Sequence, residues 1–131
     1  MEEALVAYLL SQTSITDLVS SRIHWVQAPQ GETKPYITMQ VISTGITRAH
    51  LGADALSRKR IQVDCYAMTY LSSKAIERAV IALLNNNRIV QGSIRFEAFL
   101  DNSRDLTENE AALTPIIYRQ SIDLMVTYST I

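Results

Sequence analysis

A single cysteine, Cys65, in 131 residues excludes an internal disulfide and points to a reducing compartment. Two histidines, His24 and His50, complete the soft-metal ligands. They form no His-x-x-x-His pattern, there is no Cys-x-x-Cys, and no carboxylate-rich loop of the EF-hand kind occurs. No metal is therefore expected. Only four glycines are present, and none builds a Gly-x-Gly-x-x-Gly or Walker-type phosphate cradle. Gly-x-Ser-x-Gly is also missing. These absences leave no expected cofactor, no small-molecule substrate and no catalytic residue. Neither sign of charge dominates, with 12 basic against 13 acidic residues and a formal net charge of -1. A protein gripping nucleic acid phosphates normally carries a basic surplus. No apolar run approaches the roughly 18–20 residues that span a bilayer. The opening Met-Glu-Glu lacks the positive start of a signal peptide. The expectation is a cytoplasmic chain with no membrane partner.

What is present is the makings of an ordinary core. Hydrophobic residues make up 47% of the chain and charged residues 19%. A chain of this length fits one domain, residues 1–131, and buries roughly two-thirds of its unfolded surface.

The pattern along the chain predicts helices and strands in the order α, β, β, β, α, β, β. Leu5, Tyr8 and Leu9 recur at helical spacing behind Glu2 and Glu3, which suit a helix N-terminus. A short helical turn follows, with Ser14 and Asp17 as a weak capping box and Ile15, Leu18 and Val19 facing inward. Strands are predicted over Arg22–Gln27 and Tyr36–Thr44, with Gly45 breaking or bulging the second. The cleanest alternation spans Lys59–Met68. Ile61, Val63, Cys65 and Ala67 point one way; Arg60, Gln62, Asp64 and Tyr66 point the other. Helix Ser72–Asn86 starts at Ser72 and carries Ile76, Ala79, Val80, Leu83 and Leu84 on one stripe. Asn85, Asn86 and Asn87 stop it, because Asn tolerates the left-handed conformation. Two further strands, Ser93–Leu100 and Ile116–Tyr128, complete the set. The fold class is α+β: a mainly antiparallel sheet of four to five strands, two helices packed on one face, and a long hairpin arm. The arm is the stretch Ile46–Ser57, with Gly52, Ala53 and Asp54 at its tip. A second polar excursion runs from Asp101 to Thr114. Both exceed the usual hairpin loop of about two to five residues.

The residues that carry chemistry read plainly. Cys65 falls on an apolar strand face, where a thiol acts as a small hydrophobe rather than a nucleophile. His24 reads as a partly exposed strand-end histidine rather than a general base. Asp101, Arg104, Asp105, Glu108 and Glu110 read as a solvated, ion-paired loop. Arg58-Lys59-Arg60 is the one local basic cluster. It suits either phosphates or an acidic protein surface, or simply a charged strand end that discourages aggregation. A small nucleic-acid-binding module built on that triplet with Tyr66 or Tyr70 is the alternative reading. An enzyme using Asp64, His24 or the acidic loop is a third, and it lacks a spaced nucleophile–base pair.

Five segments, in order, resemble a known family: Arg22-Ile-His-Trp-Val-Gln-Ala-Pro-Gln-Gly; Lys34-Pro-Tyr-Ile-Thr-Met-Gln-Val-Ile-Ser; Arg60-Ile-Gln-Val-Asp-Cys-Tyr-Ala-Met-Thr-Tyr; the Ala75–Leu84 helix; and Tyr118-Arg-Gln-Ser-Ile-Asp-Leu-Met-Val-Thr-Tyr. Together they resemble the tail-completion, or tail-terminator, proteins of long-tailed bacteriophages and prophages. Family members often show Tyr-Glu after Arg-Asp, where this chain has Leu106-Thr107-Glu108 after Arg104-Asp105. The resemblance implies a structural, non-enzymatic virion protein, assembled in the host cytoplasm and resident in the tail. It implies a ring, commonly of six subunits, that caps the tail tube, ends its polymerisation and presents a surface to the head connector. Tail-tube protein, head-connector protein and further copies of the chain are the implied partners, and DNA passes the lumen without specific recognition. The candidate contact residues fall in the two excursions and the basic triplet: Arg48, His50, Leu51, Arg58, Lys59, Arg60, Arg104, Asp105 and Glu108.

Overall fold

Six strands and three helices, more than the sequence pattern predicted, make up the computed structural model, which describes residues 1–46, 57–106 and 117–130. Residues 47–56, which hold Arg48, His50, Leu51 and the expected arm tip at Gly52, Ala53 and Asp54, lie outside the described residues, as does Glu108.

Helix α1, Glu2–Leu10, buries Leu5 and Leu9, four residues apart on one face. Helix α2, Thr13–Val19, buries Ile15 and Val19 in the same way. It is a true helix rather than a single turn. Its N-cap is the extended Gln12, which makes no side-chain capping bond, so Ser14 lies inside the helix and caps nothing. Helix α3, Tyr70–Leu84, begins two residues before the expected Ser72. Thr69 is the N-cap, and its side-chain oxygen accepts from the Ser72 backbone N–H at 3.2 Å. Ser73, Ile76, Glu77, Val80 and Leu84 form its buried stripe. The asparagine run stops α3 as expected, and each member has its own task. Asn87 donates its amide to the carbonyls of Ala82 (3.2 Å) and Leu83 (2.7 Å), which the helix leaves without partners. Asn86 takes the left-handed conformation at φ 63°. The Asn85 side-chain oxygen accepts from Leu100 N–H at 2.8 Å, tying the helix end to the sheet.

The strands are β1 (Ile23–Trp25), β2 (Tyr36–Ile46), β3 (Ser57–Ala67), β4 (Asn87–Gln91), β5 (Ile94–Asp105) and β6 (Tyr118–Thr130). They form one curled sheet in the order β1-β2-β3-β6-β5-β4. Only β1–β2 is parallel; the other four pairings are antiparallel. The sheet is therefore mixed. Strand β4 escaped the sequence pattern because Ile89 is its one buried residue, and its start coincides with the helix-stopping asparagines. Gly92, at φ 61°, makes the turn from β4 into β5.

Two irregularities sit elsewhere than expected. The register of β2 against β3 shifts at Ile42, between Val41 and Ser43, whereas Gly45 pairs regularly with Arg58. Strand β5 continues through Asp105, with its own shift at Asp101, so Asp101–Asp105 is strand rather than loop. Its polar composition conceals this, because its partner β6 is the buried member of the pair.

All three helices contribute to one core against a single sheet face. Ile61, Val63, Cys65 and Ala67 of β3 enter it, as do Ile122, Leu124 and Val126 of β6. Tyr8 meets Phe96 edge to face, with centroids 6.1 Å apart. No described helix is long and apolar enough to cross a membrane.

Candidate functional site

The opposite face of the sheet carries the polar partners of the core strands, and its register brings the resembling segments together. Gln62 pairs with Asp123, Asp64 with Ser121, and Tyr66 with Arg119 across β3 and β6. Tyr36, Thr38 and Gln40 of β2 stand opposite Tyr66, Asp64 and Gln62. Three of the five segments thus share one patch, through strand periodicity alone.

Within the patch the charges are matched. The Arg119 guanidinium donates to Asp64 at 3.0 Å and lies 5.5 Å from the centre of the Tyr66 ring. Gln62 donates its side-chain amide to both oxygens of Asp64, at 3.2 and 3.0 Å. Tyr66 stacks on Tyr36 at 4.8 Å. Burial raises the Tyr66 phenol above its ordinary value, against the lowering pull of Arg119. One strand further out, Arg104 donates to Asp123 at 2.9 Å. Ser121 Oγ and Asp123 Oδ1 are buried and lack a hydrogen-bond partner among the described residues. A cavity of about 340 Å³ opens beside the tyrosines, lined by the loop from Val26 to Lys34 together with Tyr36, Thr38 and Tyr66. His24 closes this loop by bonding to Glu32.

The other sequence candidates are mostly engaged within the chain. Successive residues of the basic triplet lie on alternate faces. Lys59 reaches α1 on the helix side and bonds to Glu2, with its ammonium 5.6 Å from the Tyr128 ring centre. That bond raises Lys59 and lowers Glu2 from their ordinary values. Arg60 bonds to Asp101 on the other face, and Arg58 is exposed. Asp105 accepts from Tyr70 at 3.4 Å and lies 3.7 Å from Lys74. The triplet is therefore no continuous positive surface. Cys65 is fully buried, and burial pushes its thiol far above the ordinary value. Among the described residues, no three His, Cys, Asp or Glu side chains cluster to hold a metal. Alternation put Asp64 on the polar side of its strand, and the same rule puts Ser121 and Asp123 there on β6. It does not show their burial, which depends on neighbouring strands.

An α+β domain with a curled six-stranded sheet and an ion-paired polar face is the class in hand. Its fold is shared by a chain of the structure described as the virion of a native gene transfer agent particle. That chain has 13% sequence identity and a TM-score of 0.71, over 98% of this chain and 93% of that one. A second solved chain, 15% identical, aligns at a TM-score of 0.60 over 99% of this chain and 91% of its own. No curated protein matches in sequence. The family model described as Tail completion protein gp17 matches residues 3–125, and the chain belongs to that family. It is accordingly a phage tail assembly protein, a component of virion tails that works with other tail and head proteins.

Proposed function

We propose that the chain is the subunit of a closed ring of six copies that caps the head-proximal end of the finished tail tube. In this reading the ring ends tube polymerisation and offers the docking surface for the head connector, while DNA crosses its lumen without specific contacts. The protein performs no catalysis, and assembly takes place in the host cytoplasm. The observation that carries the reading is the family match over residues 3–125. The engagement of the chain's own charges in internal pairs supports a structural role over a chemical one.

Electron microscopy of particles made without the protein tests this. Overlong or ragged tails that fail to join heads are the expected outcome. Tails of normal length, joined to heads, overturn the proposal.

A further inference from the structure

A closed ring needs two different surfaces on each subunit that fit one another. The two edge strands of the sheet, β1 and β4, carry surfaces of opposite shape and charge. At the β1 edge, on the helix side, Val6, Ala7 and Leu10 of α1 form an apolar groove with Trp25. It measures about 360 Å³, and Glu2 and Glu3 stand on its rim. Leu10 is 40% exposed. Glu2 is occupied by Lys59, whereas the Glu3 side chain is 94% exposed and its one ion contact among the described residues is the terminal amino group at 3.9 Å.

At the β4 edge the polarity is reversed. Val90 stands 56% exposed on the face away from the helices, opposite Arg95 in the register. Arg88 lies two residues before it on the same strand face. The Arg88 side chain is 71% exposed, and its contact with Glu97 is long, at 3.9 Å. Arg95 is exposed. This is an apolar knob with two basic flanks, against an apolar groove with an acidic rim.

Resting on the ring reading above, we propose that the occupant of the groove is a second copy of this chain, whose Val90 enters beside Leu10 and Trp25 while Arg95 and Arg88 approach Glu3. The contact is head-to-tail, so each copy uses its groove on one neighbour and its knob on the other. Apolar burial holds the pair, and the charges fix its direction and exclude knob-to-knob or groove-to-groove pairing.

Charge exchange tests the assignment. Purified wild type, Glu3→Arg, Arg95→Glu and the double variant are each incubated alone and with isolated tail tubes, and rings are counted by negative stain and sedimentation. Both positions are exposed, so circular dichroism should report native folds. Each single reversal is expected to cut assembly about tenfold or more, and the double variant to recover it to within about threefold. An equimolar mixture of the two single variants should also recover, because every groove then finds a knob of opposite charge in the other variant. Single variants that assemble like wild type, or a double variant and mixture that stay dispersed, overturn this pairing and leave the ring reading intact. Wild type that forms no ring in either setting overturns the ring itself, and the pairing with it.

Discussion

The Asp64 carboxylate receives the Arg119 guanidinium at 3.0 Å across β3 and β6, on a sheet face where Asp64 is only 5% exposed. The pair joins two of the segments by which the family was recognised. Because the acid is buried, removing it leaves a cation where water solvates it poorly. Asp64→Leu is expected to lower unfolding free energy by about 2–4 kcal/mol, and Arg119→Met with Asp64→Leu by less than the sum of the two single changes. Urea denaturation of the four members of this cycle measures the coupling. Strict additivity would show that the two groups do not interact.

The bond between Glu2 and Lys59 makes stability depend on pH at both extremes. The bond lowers Glu2 below its ordinary 4.5, so its contribution is complete above that value and is lost as pH falls through the folded pKa. It raises Lys59 above 10.5, so that contribution is complete below 10.5 and is lost as pH rises through the folded pKa. Glu2→Gln should therefore be less stable than wild type near neutrality, with the difference closing below pH 4.5. Denaturation midpoints across acid pH provide the check. A difference that persists unchanged to low pH would exclude the linkage.

Much of this architecture was legible in advance, for a physical reason. Alternation in β3 put Cys65 on the core face and Asp64 on the opposite polar face, although it did not show that Asp64 is buried there too. Helix α3 was legible from its wide apolar stripe. Where an element buries little, the signal fails. Strand β4 sinks only Ile89, and the outer part of β5 has no apolar rhythm. The bulges at Ile42 and Asp101 answer to partner strands rather than to local composition. Of the candidate contact residues, Lys59 and Arg60 were visible as charged but not as internally paired, and Arg104 and Asp105, expected to pair within one loop, pair with Asp123 and Lys74 of other elements instead. That pairing joins residues distant in the sequence, such as Lys59 with Glu2. The apolar groove beside Trp25 was invisible for the same reason: it exists only once α1 lies against β1.

Cys65 offers a direct readout of the intact core. It is fully buried, and desolvation disfavours its thiolate. Thiol reagents should label the native protein far more slowly than the urea-unfolded chain, by about a hundredfold or more, since reaction requires the thiolate and access together. Rapid labelling of the folded protein, followed by mass spectrometry, would contradict the burial.

Val26 separates stability from assembly. It follows Trp25 at the end of β1, with φ 70° and 70% of its surface exposed. A β-branched residue is poorly suited to that left-handed backbone, and an exposed valine gains little from the fold. Glycine adopts the conformation freely, so relief of about 1 kcal/mol of strain offsets the extra entropy of the unfolded chain. Val26→Gly is therefore expected to leave the melting temperature unchanged or slightly raised. If the valine is retained for contact at the β1 edge, the same change should reduce ring formation on tail tubes. Scanning calorimetry and ring counts on one preparation read the two effects separately. A variant that loses stability instead would show that Val26 serves the fold, and undiminished rings would remove it from the interface.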